Sequence, residues 1–194
     1  MSTRPPSRAI ERFLASSHLF AAVVEDVMLE ALVRQVTGGK LTYPQFKLLK
    51  FVATSTLPSI GDVAAFLTIS NAAASKAVDR MVRKSLLVRA DLEQDRRTVQ
   101  LSLTDDGARL VKEFDDLRAA DMPGVFAELS ESKLEEVSTL LETLSVALLD
   151  RAPEKSRETC LQCGIFFHER CLVRSKARRD CHYLKHRTRT RSVE

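Results

Sequence analysis

Glycine and proline are scarce, with six of each in 194 residues, and so few chain breakers point to a helix-rich, compact fold. Long apolar runs are missing as well. The longest uncharged stretch, Val63 to Ser75, has 13 residues and is interrupted by Thr, Ser and Asn, short of the roughly 18 that a spanning helix needs. Met1 to Arg12 mixes charges with prolines and lacks the order of basic region, apolar core and cleavage site that marks a leader. A cytoplasmic protein without a membrane segment is expected. No Cys or His lies between residues 19 and 159, and there is no G-x-G-x-x-G, P-loop, H-E-x-x-H or G-x-S-x-G motif. The main body therefore lacks the parts of a nucleophile–base pair or a nucleotide cradle, and an enzyme is not expected.

What is present is unevenly placed. Residues 151–194 hold 12 Lys+Arg against 5 Asp+Glu, a balance of +7, whereas residues 1–150 sum to −3. All four cysteines, Cys160, Cys163, Cys171 and Cys181, fall in the same basic stretch. Length and composition suggest an N-terminal arm over 1–9, one domain over 10–152 and a basic, Cys-rich tail over 153–194.

Apolar residues from Ile10 through Phe13, Leu14, Phe20, Val24, Val27, Met28 and Leu32 recur at threes and fours, predicting a long first helix that Gly38-Gly39 ends. Thr42 and Pro44 open a second helix over Gln45 to Ala53. Ser59 is placed to cap a helix reaching about Leu67, and Ser70 to cap another over Asn71 to Lys84. The period then changes to two in Thr98 to Leu103, a half-buried strand. The polar stretch Asp91 to Arg97 joins it to Leu87-Val88-Arg89-Ala90 as a hairpin. Helical spacing resumes at Thr104 and runs toward Pro123-Gly124. A last helix from about Ser130 sets Leu134, Val137, Leu141, Leu144 and Leu148 in a heptad seam that wants a partner.

Helix, turn, helix and hairpin in that order suit a unit whose second helix enters the DNA major groove while the first braces it. In Asn71 to Lys84 the residues Ala74, Val78, Met81 and Val82 share one face. Asn71, Ala72, Ser75, Lys76, Asp79, Arg80 and Arg83 point the other way. Small polar residues allow close approach to base edges, Asn can pair with adenine and Lys can reach guanine or phosphate. Residues 70–97 carry +3 inside an otherwise acidic region. At the hairpin, Arg96 and Arg97 could enter the minor groove, with Asp95 orienting a guanidinium. The DNA-contact set is thus Ser70, Asn71, Ala72, Ser75, Lys76, Arg80, Asp95, Arg96 and Arg97. Solvated surface charge and a winged-helix protein-interaction module are the alternatives.

The segments Ile60 to Leu67 and Ile69 to Met81, with Asp95-Arg96-Arg97 and Leu101 to Gly107, resemble the MarR family of winged helix-turn-helix transcriptional regulators. The resemblance covers residues about 10 to 150 and implies a mainly α fold with a small β-hairpin wing. It implies a homodimer built from the terminal helices, with each recognition helix in one half-site of a near-palindromic double-stranded operator. It also implies a small-molecule effector cleft without fixing its residues. One departure is the run Ala72 to Ala74, where larger polar or Pro/Thr residues are common in the family.

The tail spacing Cys160-x2-Cys163-x7-Cys171-x9-Cys181 gives four soft ligands within 22 residues, close enough to converge on one centre. A segment this short, with Ile165, Phe166, Phe167, Leu172, Val173, Tyr183 and Leu184 as its apolar set, needs a staple to fold. One CxxC with wide arms fits a four-cysteine 4Fe-4S cluster that senses redox state or a gas. Zinc, with His168, His182 or His186 able to replace one Cys, and a Cys160–Cys163 thiol switch remain alternatives. The expectation is a dimeric transcriptional repressor whose DNA affinity follows the state of the tail.

Overall fold

The computed structural model describes residues 7–92, 95–151, 160, 163–166, 170–176 and 181–183, with only the backbone described for 90–92 and 95–99. Two compact units result, Met1–Phe46 and Lys47–Glu194.

In the first unit Ser7 caps α1 (Arg8–Ala22) by accepting the Ile10 amide at 3.3 Å. The expected long first helix is interrupted: Val23–Leu29 forms a π-helical segment before α2 (Glu30–Thr37). The extra residue in that wider turn rotates all later positions around the axis. Gly38 takes a left-handed conformation (φ 59°) and ends α2. Leu29, Leu32, Val33, Leu41, Tyr43 and Phe46 are buried. Ile10, Leu14, Leu19, Phe20 and Val27 on α1 and the π segment remain at least half exposed. Helix α3 (Tyr43–Thr54) begins two residues ahead of the expected Gln45, with Pro44 inside its first turn, where a missing amide costs no helical hydrogen bond.

The second unit carries α4 (Ile60–Leu67) and α5 (Asn71–Arg83), both opened by serine caps. Ser59 and Asp62 form a reciprocal capping box: the Asp62 amide donates to Ser59 Oγ at 3.2 Å, and Asp62 Oδ2 accepts the Ser59 amide at 2.8 Å. Ser70 Oγ accepts the Ala73 amide at 3.2 Å. Between the helices Thr68 adopts φ 56°, a left-handed conformation unusual for a β-branched residue, and turns the chain within three residues. Val63, Ala64 and Phe66 of α4 and Ala74, Val78 and Met81 of α5 are buried, with Val82 half-buried.

Strands β1 (Leu87–Leu92) and β2 (Asp95–Leu103) pair antiparallel from Leu87↔Leu103 to Asp91↔Val99, then slip so that Leu92 meets Asp95. The wing is thus longer than its sequence pattern, because Asp91 and Leu92 extend β1 and pair with Val99 and Asp95 of β2 instead of belonging to a seven-residue link. Backbone pairing does not require apolar side chains at a solvated hairpin end. Ser59 bridges to Gln100, and the Leu101 amide donates to Pro58 O at 3.1 Å, which ties the start of α4 to the wing.

Helix α6 (Asp105–Val125) continues past Pro123 instead of stopping there. Helix α7 (Glu131–Leu149) is capped by Ser130. The heptad positions Val137, Leu141, Leu144 and Leu148 are 37–64% exposed in the single chain. The tail adds the short helix α8 (Leu172–Lys176), and none of the described helices is long and apolar enough to cross a membrane.

Candidate nucleic-acid interface and cysteine site

Helix α5 divides into two faces. Ala74, Val78 and Met81 are fully buried, while Ser70, Asn71, Ala72, Lys76 and Arg80 are exposed and Ser75 is half-buried. The outward positions are therefore small and polar at the helix start and cationic one and two turns later. The free amides of the first turn add partial positive charge at the same end. Asp95, Arg96 and Arg97 begin β2; their side chains lie outside the described residues.

One contact was not legible in the residue pattern. Arg89 of β1 pairs with Asp79 of α5 at 2.8 Å and reaches Ser75 Oγ at 3.5 Å. Both partners are about one-third exposed, so the pair adds little stability but sets the wing against the recognition helix. It also withdraws one positive and one negative charge from the local balance. The signal in the sequence was opposite charge on two neighbouring outward faces, visible only once the hairpin's placement is known.

In the tail, Cys160 and Cys181 approach through their backbones, which pair in parallel, with the His182 amide donating to Cys160 O at 3.3 Å. Cys163 leads a turn in which Gly164 takes φ 55° and the Phe166 amide returns to Cys163 O at 3.0 Å. Cys171 immediately precedes α8, and the Leu172 amide donates to Glu142 Oε2 of α7 at 3.1 Å. All four cysteines are free thiols, half-buried, and line one cavity of about 370 Å³. Ser145, Leu148, Leu149 and Glu142 of α7 and Val173 and Arg174 of α8 complete the wall.

Burial pushes the Cys163 thiol up to about 12, and the neighbouring Cys181, Cys160 and Cys171 push in the same direction. Four sulfurs that would repel one another as thiolates call for a compensating cation. Among the described residues, no group of three His, Cys, Asp or Glu is gathered closely enough to hold one metal ion. A single zinc would need sulfurs about 2.3 Å from a common point.

The tail's apolar set is partly confirmed. Ile165, Val173 and Tyr183 are buried and Leu172 half-buried, whereas Phe166 is 41% exposed under the Arg118 guanidinium. The Tyr183 hydroxyl donates to Gly164 O at 2.6 Å, and burial, followed by Cys163, pushes its pKa up and keeps the phenol neutral. His182 is 2% exposed and faces α3 and α4 through its ring nitrogens, not the cavity. Phe167, Leu184, His168 and His186 lie outside the described residues.

A capped helix-turn-helix with a small, cationic outward face and an antiparallel wing tied to its brace defines a winged-helix DNA-binding protein. The MarR family profile matches residues 41–99. The organic hydroperoxide resistance transcriptional regulator of Bacillus subtilis (strain 168) is 34% identical over 114 residues, covering 54% of this chain and 72% of the relative. The chain belongs to the MarR family and is a transcriptional regulator, not an enzyme. Among solved structures, Streptococcus pneumoniae FabT in complex with DNA shares the fold with a TM-score of 0.60 at 20% identity, covering 74% of this chain and 97% of that one. A mutant MarR from E. coli complexed with operator DNA aligns with a TM-score of 0.54 at 20% identity, covering 71% and 99%.

Proposed function

We propose that this regulator works as a homodimeric, cytoplasmic repressor on near-palindromic duplex DNA, and that Cys160, Cys163, Cys171 and Cys181 hold a 4Fe-4S cluster through which it senses redox state or a gas. The observation that carries the sensory half is the convergence of all four tail cysteines on one cavity beside α7. When bound, such a group supplies a one-electron centre whose potential depends on ligand charge, hydrogen bonds to sulfur and solvent exposure. The chain's own residues do the rest. Leu149 and Val173 line the cavity with apolar surface, and Arg174 places a positive charge in its wall. Glu142 holds the α8 backbone in register with α7.

The dimeric half is supported by the apolar seam on α7, with Val137, Leu141, Leu144 and Leu148 exposed in one chain. Such a stripe is stable in water only when covered. DNA recognition is assigned to Ser70, Asn71, Ala72, Ser75, Lys76 and Arg80 of the recognition helix and to Asp95, Arg96 and Arg97 of the wing. FabT and the E. coli MarR variant were each solved in complex with DNA, which favours DNA as the partner here.

The test is purification without air, followed by visible absorption, iron, sulfide and zinc content, and sizing of the protein. A coloured dimer with iron and sulfide supports the proposal. A colourless, zinc-containing protein overturns the cluster in favour of zinc, a metal-free protein that cycles between thiol and disulfide overturns it in favour of a thiol switch, and a monomer overturns the paired-half-site reading.

A further inference from the structure

His182 does not serve the cysteine site as a ligand; it reaches the opposite way. Its ring is buried against Phe51 of α3, with centroids 5.0 Å apart, and Phe51 stacks on Phe66 of α4 at 4.3 Å. Nε2 lies 3.3 Å from Ser55 Oγ just past the end of α3, and Nδ1 lies 3.9 Å from Asp62 Oδ1. Asp62 is the residue whose other carboxylate oxygen closes the capping box on Ser59. Ser59 in turn bridges to Gln100 of the wing. One buried imidazole therefore sits where the end of α3, the start of α4 and the root of the wing meet. It follows Cys181 directly, and its amide bonds to the carbonyl of Cys160.

We propose that His182 is the positioning residue through which the cysteine site controls the helix-turn-helix. Gathering the four sulfurs draws the Cys160 and Cys181 backbones together and seats the ring between Phe51, Ser55 and Asp62. That seat fixes the N-terminus of α4, the helix that braces the recognition helix. Releasing the sulfurs removes the anchor on the tail side, and the cap loosens. Two discrete arrangements of one packed corner, biased from the tail, are what a population shift requires. This inference rests on the cysteine site holding a metal group, and its partner is the chain's own brace helix.

The experiment uses the full chain purified without air, compared before and after treatment with a strong chelator. Hydrogen exchange is read by mass spectrometry on the peptide spanning 60–68. Iron and zinc content and retention on a random-sequence duplex pool are measured alongside. In the unaltered protein, chelation is expected to speed exchange in 60–68 severalfold and to change duplex retention. In H182A the metal content is expected to stay the same, with exchange in 60–68 fast in both states and no response of retention to chelation. H182F, which keeps a ring against Phe51 but no polar contacts, is expected to fold and to fall between the two. The inference is overturned if H182A and H182F keep the full chelation response, or if the unaltered protein shows none. A chain that holds neither iron nor zinc instead overturns the reading of the cysteine site. The docking is then decided by 60–68 alone, where equal exchange in H182A and the unaltered protein rejects it.

Discussion

Replacing Gly107 by alanine opposes two effects of known size. Gly107 is the third residue of α6, and its amide donates to the Thr104 cap at 3.1 Å. A Cβ there would lie 2.2 Å from the carbonyl oxygen of Leu86 and 3.4 Å from Leu103 Cδ2. That carbonyl cannot move freely, since it accepts the Thr104 amide at 3.2 Å, and the neighbouring Ser85 carbonyl accepts Thr104 Oγ1 at 2.7 Å. Alanine would gain about 0.5–1 kcal/mol from helix propensity. Overpacking against fixed backbone costs about 1–3 kcal/mol. Taken at mid-range the collision wins, with a net loss of about 1 kcal/mol and a melting temperature lower by about 2–4 °C at this chain length. Gly124, later in the same helix, has nothing within 4 Å of its would-be Cβ. Gly124→Ala should therefore raise stability by up to about 1 kcal/mol. Paired thermal unfolding of the two variants is the assay. If Gly107→Ala melts at or above the parent, the close approach of α6 to the wing root is wrong.

Tyr43 is buried, and burial followed by the nearby Glu25 carboxylate raises its phenol to about 12. The neutral form is favoured in the fold, so its contribution is complete below the unfolded value near 10 and is lost as pH rises toward 12. Tyr43→Phe should flatten the alkaline fall in melting temperature over that interval, and an unchanged profile would count against it. Lys76→Ala should reduce the slope of log affinity against log salt by about 0.9 if the side chain meets one phosphate. An identical slope in a duplex titration places Lys76 off the backbone. Because the Cys163 thiol is held protonated up to about 12, uptake of metal by the tail must expel that proton. Its apparent affinity should climb with pH by up to about tenfold per unit for each proton released, and chelator competition at two pH values that gives equal affinities refutes this.

The helix-turn-helix was legible because its determinants are local. Ser59 and Ser70 sit one residue ahead of apolar-periodic runs, and a cap acts on amides two and three positions away. The recognition face followed from the same period. The spacing of the cysteines only permits convergence, since an extended stretch of 22 residues could hold them far apart; that all four line one cavity is seen in the structure alone. The π segment in the first helix was not, because Val23–Leu29 contains no breaker and the same residues suit an ordinary α-helix. Wing length was underestimated where Asp91 and Leu92 extend β1 beyond the apolar alternation. The contacts between Ser55 and His182, 127 positions apart, and between Arg89 and Asp79 lay beyond reach because pairing at such separations depends on a third element that brings the partners together.

Tyr183, completely buried, lies edge-on to Phe51 at 6.2 Å, so a ring supplied near the end of the chain fills part of the interior around α3. During synthesis at about 5–20 residues per second, on the order of ten seconds pass between the appearance of α4 and that of Tyr183. Over that interval the interior around α3 is unfinished on the ribosome, and a polypeptide cut short after α7 would leave the face of Phe51 that Tyr183 covers exposed.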